Sequence, residues 1–170
     1  FGTASGLFGG SGDYLGIADS TDLDLGLSAE PFTIEFWYKS STSAVMCFYN
    51  RGGGTNNWNM TNGDQIKIQY QPDGKIYCYY NNNGTSVNVE QTASVDGNWH
   101  HVALVYDGTT SYIYVDGTRG SGVTGGYYKP TTSNLTRIGE YVSGGSNFTG
   151  WIDEFRISKG IARWTSNFSV

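Results

Sequence analysis

The residues of this chain best suited to chemistry are aromatic rings set among amides. Trp58 lies in Asn-Asn-Trp-Asn-Met-Thr-Asn, Tyr127 and Tyr128 lie in Gly-Gly-Tyr-Tyr-Lys-Pro, and Tyr141 stands close to Ser143 and Asn147. A ring face covers the C–H surface of a sugar, while planar amides and carboxylates chelate its hydroxyls. Asn57, Trp58, Asn82, Tyr127, Tyr128 and Tyr141 are therefore expected to line a shallow, wet carbohydrate site at one end of the molecule. The competing reading is that Tyr and Asn here are ordinary strand-edge and turn residues. Other chemistry is poorly represented. His100 and His101 follow Trp99 on a core-like run, His-His-Val-Ala-Leu-Val-Tyr, without an assignable Ser or Cys nucleophile and orienting partner, so they read as structural. The glycines fall in hairpins and not before a helix, which removes a phosphate loop. Asp19, Asp22 and Asp24 lack the Gly and terminal Glu of a helix–loop–helix calcium site and read as turn caps.

These residues need elements to hold them. Phe32-Thr-Ile-Glu-Phe-Trp-Tyr38 alternates apolar Phe32, Ile34, Phe36 and Tyr38 with Thr33, Glu35 and Trp37, so one face is core. Trp99–Tyr106 and the run ending at Val115 form two strands broken by Asp107-Gly108. Asp116-Gly117 then stands where a tight hairpin demands positive φ. Strands are also expected at 4–10, 12–17, 45–50, 65–71, 75–80, 87–92, in Thr-Arg-Ile-Gly-Glu-Tyr and in Phe-Thr-Gly-Trp-Ile-Asp-Glu-Phe-Arg-Ile-Ser. Pro72-Asp73-Gly74 makes a hairpin turn, and 19–26 makes one turn of helix or 3₁₀. No helix of three turns is visible, and Lys159–Trp164 suits one exposed turn. The core is expected to hold Phe36 or Trp37 with Val102, Leu104, Ile113, Val115, Ile152 and Phe155. This pattern predicts an all-β, two-sheet antiparallel sandwich of about a dozen strands, a single domain over residues 1–170.

Composition agrees. Charged residues make up only 15% of the 170 residues, so the surface must rest on Asn, Ser, Thr, Gly and Tyr, as suits extracellular or virion exposure. With a net charge of −5 and its ten basic residues scattered singly, the chain lacks a nucleic-acid footprint. No apolar run approaches the ~20 residues of a membrane span. Cys47 and Cys78 both fall in strands. They read as half-buried thiols, with a disulfide left open, and neither has a His or Cys at metal-ligand spacing. Asn59, Asn83, Asn134, Asn147 and Asn167 each begin an N-x-S/T sequon, which matters only where secreted chains are glycosylated.

The segments SGDYLGIADSTDLDL, FTIEFWYKS, GNWHHVALVYDGTTSYIYVDGTRG and FTGWIDEFRIS resemble the laminin-G-like branch of the concanavalin A-like lectin/glucanase jelly rolls across nearly the whole chain. That resemblance implies a concanavalin A-like jelly roll, and it raises glycoside hydrolysis, which needs paired carboxylates. The five glutamates (Glu30, Glu35, Glu90, Glu140 and Glu154) never begin the Glu-x-Asp-x-x-Glu run of the laminarinase-type relatives, and adjacent Asp153 and Glu154 should point to opposite faces. The resemblance also implies a structural Ca²⁺ where an early strand meets a late one, here at Asp13 and Asp153. The run IDEFRISKGIARWTSNFSV resembles the C-terminal signature of such domains in bacteriophage virion proteins. The expectation is therefore a noncatalytic carbohydrate-binding or adhesion module on a capsid appendage or tail fibre, its partners a cell-surface or secreted glycan and other virion subunits. A purely structural decoration protein is the alternative.

Overall fold

The computed structural model describes residues 4–52, 66–82, 85–125, 135–141 and 145–170. The strands among them are β1 (Gly6–Gly9), β2 (Leu15–Ile17), β3 (Phe32–Lys39), β4 (Met46–Arg51), β5 (Ile66–Gln71), β6 (Lys75–Asn82) and β7 (Thr85–Thr92). The second half supplies β8 (Trp99–Tyr106), β9 (Thr110–Val115), β10 (Thr118–Arg119), β11 (Val123–Thr124), β12 (Thr136–Ile138) and β13 (Thr149–Lys159). All pairings are antiparallel. Sheet A runs β1-β13-β3-β8-β9-β10, with β11 also on β9, and sheet B runs β2-β12-β4-β5-β6-β7. Helix among the described residues is limited to two 3₁₀ turns, Thr21–Leu23 and Leu27–Ala29. The sandwich, the absence of a long helix and the Asp19–Gly26 turn thus match the sequence reading.

Turn chemistry is where the sequence placed it. Asp116 and Gly117 have φ of 48° and 74° between β9 and β10, and Gly74 at 78° closes the β5–β6 hairpin. The core lies between the sheets. Phe36 is fully buried and Trp37 faces outward, which settles the choice between them. The Phe36 ring stacks on Phe155 at 5.5 Å and 8° and meets Phe48 at 5.1 Å. Phe155 reaches this position through a bulge. The β13 register shifts between Asp153 and Arg156, and Glu154 sits at φ 48°. The simple alternation expected to separate Asp153 from Glu154 is interrupted there.

Arg51 is buried at the rim. Its Nη2 meets Asp19 at 3.0 Å and Asp24 at 2.6 Å and also donates to the Ser20 carbonyl, while Nη1 donates to Thr136 Oγ1. Two carboxylates of the early acidic cluster therefore serve a buried guanidinium. Cys47 points away from the core on β4 and Cys78 into it on β6, with β5 between them. Two strand spacings put their backbones roughly 9.5 Å apart, beyond disulfide range. Both are free, and burial pushes the Cys47 thiol up to about 12.

After Gly160 the chain forms no helical turn, contrary to expectation. It crosses the outer face of sheet A as an extended strap. Thr33 Oγ1 donates to the Ile161 carbonyl and accepts from Arg163 N–H, and Tyr114 Oη donates to the Trp164 carbonyl at 3.1 Å. Trp164 and Phe168 stack at 4.0 Å over Ala103, Val105 and Tyr114. Gly117 is needed where the strap arrives, because a Cβ there would stand 1.9 Å from the Phe168 carbonyl oxygen.

Candidate functional site

On sheet B the outward-facing side chains form a polar band. Register places Arg137 (β12) beside Asn50 (β4), Asn50 beside Lys67 (β5), Lys67 beside Tyr79 (β6) and Tyr79 beside Asn88 (β7) in one rung across five strands. The next rung holds Cys47, Gln69, Tyr77 and Glu90. Period-2 alternation alone assigns these positions to solvent. Instead Asn50 is 0% exposed, Gln69 2% and Lys67 3%. Burying amides and an ammonium away from the core is costly unless they are partnered.

The partners are aromatic and ionic. Lys67 Nζ sits 5.1 Å from the Tyr79 ring centroid and 4.7 Å from that of Tyr141, so two phenol faces share one cation. Arg137 pairs with Glu140 at 2.7 Å, and its guanidinium lies 4.7 Å from the Tyr14 ring. Burial lowers the Lys67 pKa and raises that of Tyr79 to about 12. Tyr77 and Tyr79, two residues apart on one face, stack at 5.6 Å and 16°. Tyr77 Oη donates to Asp73 Oδ2 at 2.5 Å. With Gln71, Pro72 and Asp73 these two rings line an open cleft of about 270 Å³. The groups that border the cleft, the Tyr77 and Tyr79 rings with Asp73 and Gln71, can meet the C–H and O–H surfaces of a polyhydroxylated ligand, while Lys67, itself buried, holds the Tyr79 ring.

The sequence-based site maps onto this only in part. Tyr141 was expected on an exposed loop. It is 1% exposed and lies against Lys67, because a ring beside a desolvated ammonium gains a cation contact that solvent would weaken. Asn82 closes β6 opposite Thr85. Asn57, Trp58, Tyr127 and Tyr128 lie outside the described residues, as do Asn83, Ser143 and the sequons at Asn59 and Asn134. The band itself was missed, although the Pro-Asp-Gly hairpin fixes Lys67 opposite Tyr79.

The expected calcium pair is not brought together. Asp13 Oδ2 accepts from Gly9 N–H at 2.7 Å, Gly9 is paired with Thr149, and Asp153 stands four residues further along β13. That is roughly 13 Å of strand, too far for both carboxylates to ligate one ion at about 2.3–2.6 Å. Asp153 Oδ1 instead accepts from Glu154 N–H, and no group of three or more His, Cys, Asp or Glu suited to a metal occurs among the described residues.

His101 Nε2 lies 3.4 Å from Glu35 Oε2. Burial would raise the Glu35 pKa, but hydrogen bonds from His101 and Arg156 and the Arg156 charge outweigh it and hold the carboxyl below its usual value. Arg163 Nε adds a third cationic neighbour at 3.1 Å. A glycosidase general acid needs the opposite shift. The His101 ring packs edge-on against Trp37, Trp164 and Phe168.

A profile of the laminin G-like branch of the concanavalin A-like lectin/glucanases superfamily (Laminin_G_3) matches residues 8–163. No curated protein sequence matches the chain. Among solved structures, mouse laminin alpha1 domains LG4-5 superpose with a TM-score of 0.72 at 17% identity, over 91% of this chain and 40% of that one. The Ruminococcus gnavus IT-sialidase CBM40 gives 0.65 at 17% identity over 91% and 92%, and that module is also known bound to α2,3- and α2,6-sialyllactose. Domain 4 of the Geobacillus stearothermophilus arabinanase AbnA, in complex with arabinotriose, gives 0.58 at 17% over 77% and 61%. At such identities the likeness establishes the fold. This chain spans less than half of the laminin chain compared.

Proposed function

The chain belongs to the concanavalin A-like lectin/glucanase superfamily, and we propose that it is a noncatalytic module that binds an oligosaccharide across the outer face of sheet B. The observation that carries this is the stacked Tyr77–Tyr79 ring pair bordering an open cleft with Gln71 and Asp73, its Tyr79 ring held by buried Lys67. Polar groups already held in place cost less to order when a ligand arrives, so affinity comes from preorganisation. The sialyllactose-bound and arabinotriose-bound neighbours support the ligand class. Each contact is weak, and several copies on one particle would supply avidity. The resemblance of residues 152–170 to bacteriophage virion proteins supports display on a phage-like capsid appendage or fibre. The apolar edge formed by Leu7, Leu15 and Ile17, all exposed, favours a structural decoration role as the second reading, with that edge seated on the particle. Oligosaccharide-array binding of the wild type and of Tyr79→Ala tests the first. Weakened retention, with an unchanged melting curve, supports the band. Full retention by Tyr79→Ala would remove it.

A further inference from the structure

The opposite face of the molecule carries a second constellation that the glycan-binding band does not use. On the outer face of sheet A, register aligns Trp151 (β13), Lys39 (β3) and Trp99 (β8) in one rung and Asp153, Trp37 and His101 in the next. Three of the five tryptophans of the chain therefore share two adjacent rungs of one sheet face. Adjacent strands lie about 4.8 Å apart and same-face neighbours on a strand about 7 Å, so the backbones of the three tryptophans fall within roughly 10 Å of one another. The tail strap packs on Ala103, Val105 and Tyr114 and reaches this patch at His101, whose ring meets Trp164 and Phe168 edge-on. Trp151 is left 40% exposed, with Lys39 Nζ 5.7 Å from its ring centroid.

A pocket of about 380 Å³ adjoins the patch, lined by Glu35, Trp37, His101, Glu154, Phe155 and Arg156. Its walls are built. Glu35 is nearly fully buried and holds Arg156 through Nε at 2.7 Å and Nη2 at 2.6 Å, so the exposed guanidinium is fixed in direction. Glu154 borders the pocket at the β13 bulge with φ 48°, a left-handed conformation that a β-strand avoids and that re-aims a side chain. His101 is 5% exposed. Its Nε2 lies 3.4 Å from Glu35 Oε2, and its Nδ1 is buried without a hydrogen-bond partner among the described residues.

We propose that this face is a second, independent saccharide site, with a sugar ring stacked on the indoles of Trp37 and Trp151 and its hydroxyls held by Glu154 and Arg156 in the adjoining pocket. It shares the ligand class of the reading above and none of its surface. The chemistry favours a sugar over a protein partner. The apolar area is a few rings wide, continues to exposed Leu7 beside Trp151, and is bordered by charges of both signs, Lys39 and Arg156 with Asp153 and Glu154, whereas the core of a protein interface is depleted in charge. A ligand with an apolar ring face and a rim of hydroxyls meets both requirements at once.

The test compares three forms of the full chain on an array of neutral and sialylated oligosaccharides, followed by calorimetric and tryptophan-fluorescence titration with the strongest binder. The wild type should take up two equivalents per chain and shift its indole emission. Trp151→Ala should retain one equivalent and lose most of the shift, with the sheet A site weakened about tenfold. Tyr79→Ala should also retain one equivalent and keep the shift. Glu154→Gln, an exposed change that spares the fold, should weaken the same site as Trp151→Ala. Unchanged stoichiometry and emission in Trp151→Ala would overturn the proposal while leaving the band intact. An unchanged Tyr79→Ala beside a defective Trp151→Ala would sink the band and leave this site standing. A wild type that binds no oligosaccharide would overturn both, as would a dimer dispersed by Trp151→Ala in the absence of any sugar response.

Discussion

On sheet A, Ala103, Val105 and Tyr114 turn away from the core and meet Trp164 and Phe168 of the chain's own tail. On sheet B, Asn50, Lys67 and Gln69 also turn away from the core, and Lys67 lies between the rings of Tyr79 and Tyr141. Both faces are dehydrated, with opposite chemistry. The strap removes apolar surface from water and is stabilising at about 25 cal/mol per Å². The band removes amides and a charge from water, which returns little or nothing to stability even when every partner is in place. A protein that needed only to cover its second sheet had the first solution available, as its own tail shows. Keeping polar groups buried on the other face is an arrangement that apolar burial alone does not account for.

The largest effects should separate the two faces. Tyr114→Ala removes a fully buried ring and its hydrogen bond to the Trp164 carbonyl, and should cost about 3–5 kcal/mol by urea denaturation, comparable with the core change Leu104→Ala at about 2–5 kcal/mol. Loss of less than half a kcal/mol would show that the strap is a surface ornament, and the comparison would fail on that side.

Lys67→Met keeps the volume and the contact with the Tyr79 and Tyr141 rings while deleting the buried charge. Replacing buried ionic groups by apolar ones of similar size is often neutral or stabilising, so stability should change by no more than about 1 kcal/mol, in either direction. Oligosaccharide retention through sheet B should fall with it. A drop of several kcal/mol with binding preserved would mean that the band serves the fold, and the two faces would then differ in chemistry only.

The elements of this comparison were unequally legible in the chain. Phe32–Tyr38 and Trp99–Tyr106 announced their core faces through alternation, and Pro72-Asp73-Gly74 and Asp116-Gly117 announced their turns. Those signals are local. The strap was not readable, because Lys159–Trp164 carries helix-compatible residues, and only the presence of Val105 and Tyr114 beneath them decides for an extended path. The polar band of sheet B was not readable for a related reason. Rings in polar loops, such as Trp58 and Tyr127, attract notice because they lack an obvious core, whereas Lys67 and Tyr79 look like ordinary outward strand residues until the β4–β5–β6 register joins them to Asn50. Tyr141 shows how far loop position alone misleads. It reads as an exposed ring and is buried against Lys67.

The smallest effect concerns a third polar cluster, at the rim, where water remains available. His100 Nδ1 lies 2.7 Å from Asp116 Oδ2 and Nε2 lies 3.0 Å from Asp96 Oδ1. Burial would lower the His100 pKa, but the hydrogen bonds to Asp116 and Asp96 outweigh it and raise the value above the ordinary one. The same hydrogen bond holds Asp96 down at about 2. A histidine whose folded pKa is raised contributes stability that is full below its unfolded value near 6.5 and is lost as pH rises through the folded value. The Asp96 contribution has the other sign: it is present above the ordinary aspartate pKa and fades as pH falls toward 2. Melting temperature should therefore decline gently from about pH 6 upward in the wild type, and His100→Gln should flatten that decline while leaving the curve above the folded pKa nearly unchanged. The Tyr79→Ala and Lys67→Met chains should retain the wild-type slope, since neither touches this cluster. If either of them flattened it, the band and the rim would be one coupled network, and a stabilising role for the buried polar face of sheet B would have to be readmitted.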